Sequence, residues 1–199
     1  MRTHARIVVV GGGILGVALH YHLAEEGAED LLLIEKGELT SGCTWHAAGQ
    51  CPSLVGDYTM AKSHHYGNTL YPRLEEMTGQ YTSWHGSGGI RLARSQDDLD
   101  WFHHMAGFAD DIGFRMQIIG PDEIRKLHPF LKLEDVIAGA WTLDDGHADP
   151  PGLTFAMANA ATRMGAEIMR HTCVTVLQPL PSGEWDVETE KGTVRAEIV

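Results

Sequence analysis

The sequence predicts an α/β fold organised around a parallel sheet, and three observations carry that reading. Residues 6–10 (RIVVV) and 31–34 (LLLI) are short, continuously apolar and bounded by glycine or charge, the pattern of strands buried on both faces. Between them, residues 14–26 place Ile14, Val17, Ala18, Tyr21, Leu23 and Ala24 roughly on one helical face, with Gly27 where a glycine ends a helix. Gly11, Gly12 and Gly13 separate the first strand from that helix. Strand, turn, helix and strand make one βαβ unit, whose crossover should be right-handed.

The remaining elements follow in order. Residues 38–57 are small, polar and glycine-containing, and read as a loop leading into a helix start. Residues 58–78 read as a helix. Residues 83–95 (SWHGSGGIRLARS) are punctuated by glycine and then alternate at Ile90 and Leu92, as a strand beside a turn does. Residues 96–116 return to a helical pattern, Pro121 ahead of Asp122 and Glu123 starts a short helix, and residues 136–143 (VIAGAWTL) suit a strand. Asp149 is placed to cap a helix that opens with Pro150 and runs to about Met164, with Gly165 behind it. Residues 166–199 read as three strands turning at Ser182-Gly183 and Lys191-Gly192, with Trp185, Val187 and Thr189 alternating between the turns. No repeat or flexible linker divides the chain. The expected organisation is a first domain of residues 1–80 and 148–199, interrupted by residues 81–147. The apolar run Ala196-Glu197-Ile198-Val199 stops inside what reads as a buried strand, so the sequence is expected to be truncated.

Composition narrows the function. The chain has 199 residues, 43% hydrophobic and 21% charged, which suits a globular domain or a little more. Its formal net charge of −12 argues against nucleic acid, whose phosphates need an excess of Lys and Arg, and against docking on anionic lipid. The run Ile7 to Val10 is far too short to span a membrane, and with few residues ahead of the first strand no targeting peptide is expected. The cysteines are Cys43, Cys51 and Cys173, an odd number without CxxC spacing, so neither a disulfide framework nor a zinc site is suggested. A reducing, cytoplasmic setting is expected.

The segment Gly11-Gly12-Gly13-Ile14-Leu15-Gly16 fits GxGxxG, a weak pattern alone in a chain with 23 glycines. Its context strengthens it, because it follows a buried strand and opens a helix. Gly11 permits a tight turn, Gly13 lets the backbone approach a pyrophosphate, and Gly16 allows close packing of helix and strand. The helix N-terminus offers free N–H groups and a positive dipole end to phosphate. Glu35 ends the second strand, where a carboxylate can accept from both ribose hydroxyls of an adenosine and disfavours a 2′-phosphate. These features point to a dinucleotide without separating FAD from NAD.

The segment Glu38-Leu39-Thr40-Ser41-Gly42-Cys43-Thr44-Trp45-His46-Ala47-Ala48-Gly49-Gln50 follows directly. GGGILG, then LLLIEKGELTSG, then CTWHAAGQ resembles the dimethylglycine and sarcosine dehydrogenase group of the D-amino acid oxidase superfamily. HGSGGIRLA (85–93) and DDGHADPPGLT (144–154) resemble it too, so the similarity covers nearly the whole chain. The resemblance implies a Rossmann-like FAD-binding domain interrupted by part of an α+β substrate domain. It implies that His46 is joined to the 8α-methyl carbon of FAD, with Cys43 a rival tether because thiolates form 8α links as well. It nominates Ile14 and Leu15 at the phosphate turn, Glu35 and Lys36 at the ribose, and Ser41, Gly42, Cys43, Thr44, Trp45, His46, Ala47, Ala48, Gly49 and Gln50 along the flavin. The backbone at Val174 would meet the adenine. The implied reaction is oxidation of the N-methyl or C–N bond of a small N-methylated amino acid, with electrons passing to oxygen or an electron-transfer flavoprotein. Members of the group are several times longer. A second FAD segment, a catalytic His/Tyr region and a tetrahydrofolate-binding domain lie in parts that these residues do not include, so no catalytic residue is assigned. Other flavin amine oxidases, of the D-amino acid dehydrogenase or N-methylaminobutanoate oxidase type, and an inactive fragment needing a partner chain stay open, as does the oligomeric state.

Other constellations carry less. The twelve histidines include the adjacent pairs His64-His65 and His103-His104, which diverge on a helix, and no HExxH or HxxEH occurs, so no metal site is expected. His147 and Asp149 read as a turn before a capped helix more simply than as a catalytic dyad. Arg91 and Arg94 read equally as partners for a substrate carboxylate or as solvated strand-edge charges. No GxSxG marks a hydrolase.

Overall fold

A computed structural model describes residues 2–199. Its elements are β1 (His4–Val10), α1 (Ile14–Glu25), β2 (Leu31–Ile34), a 3-10 turn (Thr44–His46), β3 (Gln50–Cys51), α2 (Tyr58–Thr78), β4 (Gly89–Ala93), α3 (Gln96–Ile112), β5 (Met116–Ile119), α4 (Pro121–Leu127), β6 (Ala138–Thr142), β7 (Gly146–His147), α5 (Pro150–Arg163), β8 (Glu167–Met169), β9 (Val174–Pro179), β10 (Trp185–Thr189) and β11 (Gly192–Ile198). They form two compact units. Of the described residues, the first comprises 2–48, 74–82 and 149–199, the second 49–73 and 83–148.

The first unit is built on a six-stranded sheet of order β8-β2-β1-β11-β10-β9. β1 pairs in parallel with β2, Val8 opposite Leu32, and with β11, Ala5 opposite Ala196. All four residues of β2 are buried, as a continuously apolar strand requires. Alternation sorts its side chains: Leu32 and Ile34 join Val8, Val187, Val194 and Ala196 in one apolar cluster, so Leu31 and Leu33 face the other side. There α1 packs on β2 and on α5. α5 buries Ala156, Ala160 and Ala161, small side chains that suit the close approach of a neighbouring element. Its start is capped as the sequence predicts, with Asp149 accepting a hydrogen bond from the Gly152 N–H at 2.9 Å.

Three departures have local causes. Residues 166–199 hold four strands rather than three, because β8 is a three-residue strand that pairs in parallel with β2, Leu33 opposite Ile168. β1 is not buried throughout, since Val10 is 45% exposed where the chain leaves the sheet. On α1 the buried stripe is Val17, His20, Tyr21 and Ala24, which inserts a histidine into the apolar face.

His20 is fully buried, and burial holds its imidazole below the ordinary range, outweighing the opposite pull of the Glu167 backbone. The unfolded chain therefore takes up a proton at this site at higher pH than the folded one, so the stability that neutral His20 permits is complete above the unfolded pKa of about 6.5 and declines as pH falls toward the folded value. Denaturant titrations across that range should show a loss of stability on acidification that His20→Leu reduces. An equal pH dependence in both proteins would contradict this role.

The second unit carries an antiparallel sheet of order β4-β6-β5, with Arg91 opposite Ala140 and Ile118 opposite Ala140 on its two sides. α3 covers one face through Phe102 and Met105, which pack with Ala93, Ala138, Ala140 and Leu54. On the other face Ile124 of α4 joins Ile119, Leu133 and Val136, with Ile90, Leu92 and Trp141 against them. The helix expected to reach residue 116 ends at Ile112, where Gly113 takes a left-handed φ of 97° and releases the chain into β5. β3 pairs with β7, and a further bridge joins His85 to His147. Among the described residues no helix is long and apolar enough to cross a membrane.

Candidate functional site

The glycine turn of the first unit is fixed from two sides. Gly11 has φ of 109°, a conformation that favours glycine, and its N–H donates to the Ile34 carbonyl at 2.9 Å, tying the turn to the end of β2. The Gly12 N–H donates to Glu35 Oε2 at 2.6 Å, and its carbonyl accepts from Thr40 at 2.9 Å. A Cβ at Gly12 would stand 2.5 Å from Leu39 Cδ2, and one at Gly16 would stand 2.0 Å from the Gly11 carbonyl oxygen. Both positions therefore need a bare backbone. Gly16 lets the first turn of α1 press on the loop that leaves β1, with Val9 next in reach at 3.6 Å.

Glu35 is 8% exposed, and each of its oxygens already accepts one backbone N–H: Gly12 on Oε2, Gly37 at 2.8 Å on Oε1. A carboxylate has lone pairs for further donors, so it stays competent toward hydroxyl groups while locked in orientation. Lys36 is exposed beside it. Thr172, fully buried, donates its N–H to the Glu35 carbonyl at 2.9 Å, which brings Cys173 and Val174 to this end of the sheet. Val174 opens β9 opposite Thr189 and packs on the sheet cluster.

The small-residue segment lies against the same turn. The Thr44 hydroxyl, in a buried residue, accepts from the Ile14 N–H at 2.9 Å and stands 3.2 Å from where a Gly13 Cβ would be. It therefore holds the 3-10 turn at the N-terminus of α1, an end that carries the positive side of the helix dipole. The turn closes with the His46 N–H on the Cys43 carbonyl at 3.1 Å and the Ala47 N–H on that of Thr44 at 3.2 Å. Around Thr44, residues 41–43 and 45–48 are all exposed. Trp45 is 59% exposed, and its ring lies 4.1 Å from the His46 imidazole, centroid to centroid. Ile14 and Leu15 open α1, Leu15 at 85% exposure. Gly49 and Gln50 belong to the second unit: Gly49, with φ of 74°, accepts from Ala148, and Gln50 pairs with His147.

Sequence reasoning passed over Gly12, Leu39, Thr40 and Thr172. Gly12 occupies a variable position of the motif, and the run of three glycines was its only signal. Thr40 takes a left-handed φ of 69° that nothing in its residue type announces. The discounted groups also have structural roles. Arg94 pairs with Asp135 at 2.8 Å, Arg91 lies 6.0 Å from the Trp101 ring centre, and His147 stacks on His85.

The cysteines differ in environment. Burial, reinforced by the Asp145 carboxylate, pushes Cys51 up to about 11, whereas Cys43 is exposed. At pH 8 only about one Cys51 thiol in a thousand is ionised. Iodoacetamide should therefore label Cys43 well before Cys51, as read by peptide mass mapping, and comparable rates would contradict the half-buried setting of Cys51.

A tight glycine turn, a helix N-terminus, an oriented carboxylate at the end of β2 and an exposed run of small residues together fit a dinucleotide cofactor. The chain is 42% identical over 195 residues to mitochondrial dimethylglycine dehydrogenase of Rattus norvegicus, a match that takes in 98% of this chain and 23% of that protein. It is 33% identical over 172 residues to mitochondrial sarcosine dehydrogenase of Homo sapiens, covering 86% of this chain and 19% of that protein. Among solved structures it superposes with a TM-score of 0.90 on L-proline dehydrogenase from P. horikoshii, at 27% identity, over 100% of this chain and 52% of the other. The chain thus spans about a fifth to a quarter of the length of these two curated relatives and about half of that structure. Residues 6–199 match the family described as FAD dependent oxidoreductase, and the chain belongs to that family.

Proposed function

We propose that this chain supplies the FAD-binding part and a portion of the substrate domain of an enzyme oxidising the N-methyl or C–N bond of a small amino acid such as dimethylglycine or sarcosine, with the flavin held covalently by His46. The observation that carries the covalent link is the presentation of His46. Its imidazole is exposed on a short turn that Thr44 fastens to the first amide of α1, the end that would meet the cofactor's pyrophosphate. A neutral imidazole is a competent nucleophile near physiological pH, and an exposed one needs no rearrangement to reach an electrophilic carbon.

The other residues divide the work. The Gly11–Gly16 turn, with its side chains excluded, approaches the pyrophosphate. Glu35, oriented by Gly12 and Gly37, accepts from ribose hydroxyls with Lys36 beside it. The backbone at Val174 meets the adenine, and residues 41–50 line the flavin. When bound, FAD supplies the hydride acceptor. The first unit serves as the FAD-binding domain and the second as part of the substrate domain. Three unpaired thiols suit a reducing, cytoplasmic setting, and electrons leave to oxygen or to an electron-transfer flavoprotein.

Product analysis tests the reaction, with the chain in its native polypeptide and loaded with FAD. Formaldehyde from dimethylglycine or sarcosine is the expected result. Ammonia from unmethylated amino acids would move the assignment to a deaminating amine oxidase, and a flavin-loaded protein that turns over none of these amines would overturn the reading.

A further inference from the structure

In the second unit β7 runs between two other segments. Gln50 of β3 stands opposite His147 on one side, and His85 stands opposite it on the other. The His85 N–H donates to the His147 carbonyl at 2.8 Å, and the His147 N–H donates to the His85 carbonyl at 3.1 Å. Residues directly opposite in an antiparallel ladder project on the same face, so Gln50, His147 and His85 form one row. A Cβ at Gly146 would stand 2.4 Å from the His85 carbonyl oxygen, so a bare backbone there lets the two histidine segments close. Both histidines are exposed, and their rings lie 5.0 Å apart, centroid to centroid, with 30° between the planes. Each ring has a serine at one nitrogen: Ser83 Oγ is 3.3 Å from His85 Nε2, and Ser87 Oγ is 3.5 Å from His147 Nδ1.

We propose that His85 and His147 together bind a divalent transition-metal ion that favours imidazole, Zn²⁺ or Cu²⁺. Two imidazoles on one tetrahedral ion, with metal–nitrogen bonds of about 2.1 Å, hold their ring centroids roughly 5 Å apart. The observed spacing meets that requirement without backbone movement, and the exposed rings are free to turn about their Cβ–Cγ bonds toward a shared ion. The serines decide which nitrogens face it. A metal-ligating histidine donates its other ring N–H to an oxygen, which sets the tautomer. With Ser83 accepting from His85 Nε2 and Ser87 from His147 Nδ1, the lone pairs fall on His85 Nδ1 and His147 Nε2. Gln50 adds an amide oxygen to the row. Among the described residues no cluster of three or more His, Cys, Asp or Glu side chains is placed to hold a metal. The ion therefore keeps water in its remaining positions, which makes the site open and exchangeable rather than a closed structural one. Mg²⁺ and Ca²⁺, which take oxygen ligands, are poor occupants of a pair of imidazoles. The pairs His64-His65 and His103-His104 lie along α2 and α3, where adjacent side chains diverge, so they form no such chelate.

The test is calorimetry on the full, untagged chain with ZnCl₂ as the probe. Saturable Zn²⁺ binding that excess Mg²⁺ does not displace is the expected result. His85→Gln and His147→Gln should each weaken it by about tenfold or more, since disturbing even the groups behind a metal ligand costs about that much. Both side chains are exposed, so the variants should melt near the wild-type temperature, and His103→Gln, outside the pair, should leave binding unchanged. With Cu²⁺ as the probe, electron paramagnetic resonance should show two coordinated imidazole nitrogens in the wild type and one in either variant. Absence of saturable Zn²⁺ binding to the folded wild-type chain would overturn the proposal, as would binding left unchanged by both His85→Gln and His147→Gln. Neither result would touch the flavin assignment, which rests on the first unit.

Discussion

Gly16→Ala is expected to disable the first unit. An added Cβ would stand 2.0 Å from the Gly11 carbonyl oxygen, and that neighbour is backbone rather than a side chain that can rotate away. Relief requires α1 to move off the glycine turn, and the turn is held to β2 by the Gly11 N–H on Ile34 and to Glu35 by the Gly12 N–H. Overpacking of this kind costs about 3 kcal/mol, a large share of the stability of a small domain. The movement would also shift the Ile14 N–H off Thr44, so the turn carrying His46 loses its anchor. Urea titrations should show a clear fall in midpoint, and the purified variant should retain little flavin. Wild-type stability with full flavin content would show that the turn tolerates a side chain.

Asp145→Ala should have a comparable effect on the second unit through a different cause. Asp145 is 4% exposed and collects donors from three segments: the Ser53 N–H at 2.7 Å, the Thr142 hydroxyl, and Asn68 Nδ2 at 3.4 Å. Removing the carboxylate leaves the Ser53 N–H buried without an acceptor, a loss on the order of 3 kcal/mol. The same carboxylate raises Cys51, so the variant should also label faster at Cys51 than wild type. Asp145→Asn keeps one acceptor oxygen, enough for the Ser53 N–H, without the charge and should recover part of the stability. A midpoint unchanged in Asp145→Ala would contradict the network.

Local chemistry decided what the sequence made legible. A run of four apolar residues can only be a buried strand in this context, so β2 was readable. So were the capped start of α5 and the glycine turn with Glu35 behind it. Features built from distant parts were not. Asp145 meets Ser53 across ninety-two positions, and no residue near either one announces the contact. β8 is too short for alternation to appear, and only pairing with β2 makes it a strand. β5 was not read as a strand: the helical reading ran on to Met116, its first residue, past the break that Gly113 marks. His20 sits at a core spacing that a polarity-based reading assigns to apolar residues. In the candidate site, GGGILG and TWHAAG could each be found separately. Their juxtaposition through the Thr44 hydroxyl and the Ile14 amide, thirty positions apart, belongs to the fold.

The covalent role of His46 is tested most directly by intact mass under denaturing conditions, on the wild-type chain and on His46→Ala, each produced with ample riboflavin. The expected result is a wild-type mass raised by one FAD and an unmodified His46→Ala chain. A wild-type chain that binds flavin yet has an unmodified mass would contradict the covalent role of His46, and so would an adduct that survives His46→Ala, which peptide mapping would then seek at Cys43.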